Sequence, residues 1–105
     1  MSKQRVAKRG KPMDDEMRQL IEKAVAVLKA AGALEVHIFG SAARGTLRED
    51  SDIDLAVSGL APGVFFRAMA QAADVLGRSL DLIDLDETTP FTRYLKQEGE
   101  LQRVG

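Results

Sequence analysis

Between Asp52 and Leu85 the chain reads strand, helix, strand, and that order leaves few ways to fold. Ile53, Leu55 and Val57 alternate with Asp52, Asp54 and Ala56, and residues 80–85 (LDLIDL) repeat the alternation, which is the two-residue period of a strand with distinct faces. Between these runs Pro62 opens and Gly77 closes a stretch in which Val64, Phe65, Ala68, Met69, Ala72, Val75 and Leu76 recur at helical spacing. Two strands joined by a full helix run parallel in one sheet, through a right-handed crossover.

The rest of the chain supplies the remaining layers. Pro12 suits the first turn of a helix, Asp14, Asp15 and Glu16 suit its positive end, and Met17, Leu20, Ile21, Ala24, Val25 and Leu28 keep its period until Gly32. Residues 34–39 (LEVHIF) alternate, with Leu34, Val36 and Ile38 on one face and Glu35, His37 and Phe39 on the other. Gly40-Ser41 breaks this strand, and Ala42, Ala43 and Arg44 make a single helical turn that Gly45 stops. Thr88 or Thr89 caps a last helix from Pro90 to Gly99, and the final residues add a short edge strand or fray. The expectation is an α/β (α+β) domain with a mixed three- to four-stranded sheet and helices packed on one face.

At 105 residues, one domain fills the chain and no separate substrate lobe fits. There is no cysteine and one histidine, so disulfides, thiolate zinc sites and thiol nucleophiles are excluded, and a Ser-His device exists only through His37. No apolar run approaches the ~20 residues of a membrane span, and the first residues lack a signal peptide's apolar stretch. A cytoplasmic protein is expected.

Charge nearly balances, with 15 basic and 16 acidic residues, yet it is segregated. Lys3, Arg5, Lys8, Arg9 and Lys11 make residues 1–11 a basic arm before a domain spanning 12–105. A solvated tail explains that arm better than a nucleic-acid contact does. Half of the acids sit in two windows: Glu49, Asp50, Asp52 and Asp54, then Asp81, Asp84, Asp86 and Glu87. Carboxylates repel, so crowding them on ordered elements calls for a cation.

The chemistry is carried by Gly40-Ser41, ten residues, then Asp52-Ile53-Asp54. Positions i and i+2 of a strand share a face, so the two carboxylates project together and suit Mg²⁺, which takes one or two carboxylates plus waters and phosphate oxygens. Glycine lets a ligand approach the backbone, and N–H groups opening a helical turn attract phosphate, with the Ser41 hydroxyl as a further donor. Both halves meet on one triphosphate only if the first two strands are antiparallel. Asp81 then starts its strand beside Asp52 and Asp54, where three carboxylates around one or two metal ions suit phosphoryl or nucleotidyl transfer. Periodicity alone does not choose between Asp81 and Asp84; Asp81 ranks first because it lies at the strand start.

The segment GSAARGTLREDSDIDL, followed by LDLIDL, resembles the minimal nucleotidyltransferases of the DNA polymerase beta superfamily, whose signature is GS, ten residues, DxD and a later Asp. The resemblance covers roughly residues 14–104. It implies a single-domain nucleotidyltransferase fold, Gly40 and Ser41 at the triphosphate, Asp52 and Asp54 as Mg²⁺ ligands, and Asp81 as third ligand and base. Many relatives read GSRARG, whereas Ala42-Ala43-Arg44-Gly45 lacks the first arginine; Arg44 is the candidate nucleotide-binding cation, with pairing to Glu49 and Asp50 as the alternative for it and for Arg48. Small stand-alone members resemble antitoxins encoded with a HEPN-domain ribonuclease toxin, onto whose tyrosine they transfer AMP from ATP. That resemblance implies ATP and a helical toxin as partners; the absence of a substrate lobe separately argues for assembly, with a second copy or the partner covering the rim of the cleft.

Competing patterns fail on particular residues. An EF-hand loop needs glycine where Leu55 stands and glutamate where Ala61 stands. No GK[ST] follows the glycines and no GxGxxG is present. Two other functions stay open at this level: a binding module that neutralises its partner by occlusion, and nucleotidyl transfer to a small molecule or nucleic-acid end.

Overall fold

The computed structural model describes residues 15–45, 51–98 and 100–105. Helix α1 (Asp15–Ala30) carries Asp15 and Glu16 in its first turn and Lys29 in its last, and it buries Ile21, Ala24, Val25 and Leu28. Both charge placements favour the helix dipole. The expected start at Pro12 and the basic arm fall outside the described residues. Strand β1 (Glu35–Phe39) follows, then the short helix α2 (Gly40–Arg44), β2 (Ile53–Ser58), α3 (Pro62–Leu76), β3 (Leu80–Asp84), α4 (Pro90–Gln97) and β4 (Gln102–Arg103).

The sheet order is β3-β2-β1-β4. β1 pairs antiparallel with β2 and with β4, and β2 pairs parallel with β3, as the helical crossover requires. The register sets Val36 against Val57, Ile38 against Leu55 and Leu55 against Leu82. These side chains face α1 and α3, which pack side by side through small residues, Ala24 on one and Ala68 and Ala72 on the other. Val36, Ile53, Leu55 and Val57 are fully buried, each such side chain stabilising the fold by roughly 1.5–3 kcal/mol.

The two long helices form the expected layer on one face, and α4 lies on the other. There Leu95 meets Phe39, Ala56 and Leu85 in a second, smaller cluster. Phe39, placed by alternation on the polar face of β1, is therefore buried. Leu34, assigned to the apolar face, is 70% exposed because it precedes β1, although its N–H still donates to Ser58 O at 2.8 Å. Thr89 rather than Thr88 caps α4: it accepts from Thr92 N at 3.1 Å while Thr92 Oγ1 accepts from Thr89 N at 3.0 Å, a reciprocal box that closes both orphan donors. Among the described residues no helix is long and apolar enough to cross a membrane.

Candidate active site

The site grows from the point where β1 ends. Gly40 has φ +67, a left-handed turn that glycine makes without steric cost, and it swings the chain directly into α2. A β-carbon there would overlap Asp54 Oδ2 and stand 3.1 Å from Asp54 Cγ, so the missing side chain makes room for a carboxylate. Gly45 ends α2 at φ 80, its N–H returning to Ser41 O. Among the described residues no side chain caps the start of α2, so its first N–H groups have no side-chain acceptor there.

Register brings the acids together. Phe39 pairs with Asp54, and Asp54 pairs with Asp81. Directly paired residues of adjacent strands share a face, so Asp54 and Asp81 stand side by side on the α4 face, with Asp52 just before β2. Asp84 shares the opposite face with Leu80 and Leu82, and its Oδ1 accepts from Asp86 N at 2.9 Å. Parity left Asp81 and Asp84 open; pairing with β2 puts Asp81 beside Asp54.

Burial pushes the Asp54 carboxyl above its ordinary value, and repulsion from Asp81 and then Asp52 adds to the rise, while Arg44 opposes it. A raised carboxyl disfavours folding once it ionises: the cost is present above the raised value and disappears as pH falls to 3.8, the ordinary one. A cation beside Asp54 relieves the same repulsion. Among the described residues no three acidic, histidine or cysteine side chains gather closely enough to hold an ion by themselves. The donor set fits a hard cation nonetheless, since Asp54, Asp81 and Asp52 offer oxygen only, and Mg²⁺ draws most of its shell from water and phosphate.

The surrounding residues divide into those foreseen and those missed. Arg44 lies beside the carboxylates, and its Nη1 stands 3.6 Å from Glu100 Oε1. His37 lies two residues before Phe39 on the same face, its Nε2 3.7 Å from Glu35 and its buried Nδ1 without a hydrogen-bond partner among the described residues. Burial lowers its pKa, Glu35 opposes that, and Arg103 adds to it. Arg48, Glu49 and Asp50 fall outside the described residues. Arg78, which the sequence did not single out, donates to Ser51 O from Nε at 3.0 Å and also from Nη2, tying the approach to Asp52 onto the turn before β3. Phe91 was missed as well; its ring meets Phe39 edge-on at 6.0 Å between centroids. Neither residue sits in a motif, so only the fold reveals them.

The carboxylate pair in register, seated against a glycine turn, is matched by a family model described as polymerase beta nucleotidyltransferase over residues 22–101, well over half of the chain. The chain belongs to the polymerase beta nucleotidyltransferase family. It is similar to a solved structure described as a candidate minimal nucleotidyltransferase, with 29% identity over 89% of this chain and 96% of that one, at a TM-score of 0.65. The fold is also shared with a chain of a toxin-antitoxin crystal structure with AMP-PNP, at 23% identity, TM-score 0.65, and 78% and 69% coverage of this chain and that one. A third neighbour belongs to a complex of tri-AMPylated Shewanella oneidensis HEPN toxin with MNT antitoxin, at 18% identity, TM-score 0.61, and 83% and 70% coverage. No curated protein sequence matches the chain.

Proposed function

We propose that this nucleotidyltransferase is an antitoxin that transfers AMP from ATP to a hydroxyl, a tyrosine above all, of a HEPN-type toxin in the cytoplasm. The observation that carries the reading is the in-register pair Asp54 and Asp81 beside the Gly40 turn, within a fold shared with an antitoxin in complex with an AMPylated toxin.

Gly40 and Ser41 hold the triphosphate through backbone N–H groups and the Ser41 hydroxyl, and Arg44 neutralises phosphate charge. Asp52, Asp54 and Asp81 would hold Mg²⁺, which when bound screens the phosphates and the leaving pyrophosphate. Asp81, exposed like Asp52 and at the start of its strand, takes the proton of the acceptor hydroxyl. The acceptor oxygen forms its bond to the α-phosphorus as the bond to the bridging oxygen breaks, and pyrophosphate leaves with that electron pair.

The test pairs the double variant Asp52→Asn, Asp54→Asn with α-labelled ATP and a HEPN-type toxin. Loss of label with an unchanged circular dichroism spectrum is expected. Full labelling by the double variant removes the proposal, and protection of cells by an unlabelling variant would favour occlusion.

A further inference from the structure

β3 is an outer strand of the sheet. Ile53 N donates to Ser79 O and Leu85 N donates to Val57 O, so the alternation of a parallel ladder turns the N–H and C=O of Leu80, Leu82 and Asp84 away from β2. Among the described residues no strand pairs with that edge. A groove of about 530 Å³ runs beside it, lined by Leu82 and Ile83 of β3, Phe65 and Phe66 of α3, and Phe91 of α4. Phe66 is 71% exposed and Phe91 47%, an apolar surface of the kind that marks a binding site.

Charge names the occupant. Asp84, Asp86 and Glu87 line the same groove, and among the described residues no basic side chain reaches them within 4 Å. Asp84 and Asp86 accept from Asp86 N at 2.9 Å and Gly59 N at 2.8 Å; these bonds fix the carboxylates without neutralising them. A second copy docked edge to edge would set like charges together. A cationic strand meets none of that repulsion.

We propose that the β3 edge docks an extended, lysine- or arginine-bearing segment of the acceptor protein. The segment adds a strand outside β3, places apolar side chains between Phe66 and Phe91, and sets its cations against Asp84, Asp86 and Glu87. Its role as acceptor rests on the transfer reaction proposed above. Ile83 lies two residues past Asp81 on the same strand face, roughly 6–7 Å along it, so a chain held in the groove continues to the carboxylates.

The probe is a labelled seven-residue peptide in which lysine alternates with valine around one tyrosine, titrated into the full chain without nucleotide. Anisotropy should show binding about tenfold tighter than for the version with glutamate in place of lysine. Phe66→Ala, at an exposed position, should weaken binding about fivefold, as should Glu87→Lys. Amide spectra should place the shifts at Leu80, Leu82 and Asp84, and N-methylation of alternate peptide residues should abolish them. Asp52→Asn with Asp54→Asn should bind the peptide as the unaltered chain does, which separates docking from transfer. Equal affinity for the acidic and basic peptides, or shifts confined to another face, overturns the proposal.

Discussion

Gly40→Ala is the sharpest test of how the site is built, because Gly77 provides a matched control. Gly40 has φ +67 and Gly77 has φ +71, yet among the described residues an added β-carbon overlaps Asp54 Oδ2 at the first position and meets nothing within 4 Å at the second. The left-handed backbone costs alanine about 1–2 kcal/mol at either place. At Gly40 the Asp54 carboxylate must also swing off its preferred rotamer, about 0.5–1.5 kcal/mol more. Gly40→Ala should therefore destabilise by about 1.5–3.5 kcal/mol and Gly77→Ala by about 1–2. Displacing a reacting group by an ångström costs about a hundredfold in rate, so the first variant should lose that much of the proposed AMP transfer and the second almost none. Urea midpoints at constant slope and single-turnover labelling read the two effects. In an Asp54→Ala background the excess penalty of Gly40→Ala should vanish, leaving the Gly77 value. An excess that persists without Asp54, or wild-type transfer by Gly40→Ala, refutes the close-approach argument.

Two further outcomes follow from the same geometry. Arg44 and Glu100 form an exposed pair at 3.6 Å, worth about 0–1 kcal/mol; Glu100→Gln should leave the melting temperature unchanged and lower the KM for ATP by up to about fivefold, whereas a raised KM would show that Glu100 does not compete with phosphate. Burial lowers the His37 pKa below 6.5, so the native state takes up this proton less readily than the unfolded chain, and stability is kept above 6.5 and lost as pH falls through the lowered value. His37→Gln should flatten the decline in urea midpoint between about pH 7 and 5, and an unchanged slope would assign that decline to other groups.

Much of this architecture is legible because its determinants are local. The alternation in residues 53–57 and the Pro62 to Gly77 helical period force a parallel β2–β3 pair, and the spacing of Asp52 and Asp54 places both carboxylates on one strand. What the sequence could not resolve depends on partners distant along the chain. Asp81 and Asp84 are separated by register with β2, which periodicity within β3 does not contain. Phe39 reads as a polar-face residue until α4 brings Leu95 over it, and Leu34 reads as core until the start of β1 at Glu35 leaves it exposed. Arg78 is unremarkable in sequence because its partner is a carbonyl, that of Ser51, and any residue supplies one.

The mixed sheet also orders events during folding. The contact between Gly40 and Asp54 belongs to an antiparallel hairpin, whereas Asp54 meets Asp81 only after α3 has crossed back over the sheet. Long-range parallel pairing is the slower step, since loop closure precedes its reward. Sequence separation thus sets the Gly40–Asp54 contact ahead of the Asp54–Asp81 pair, so the two carboxylates come side by side last.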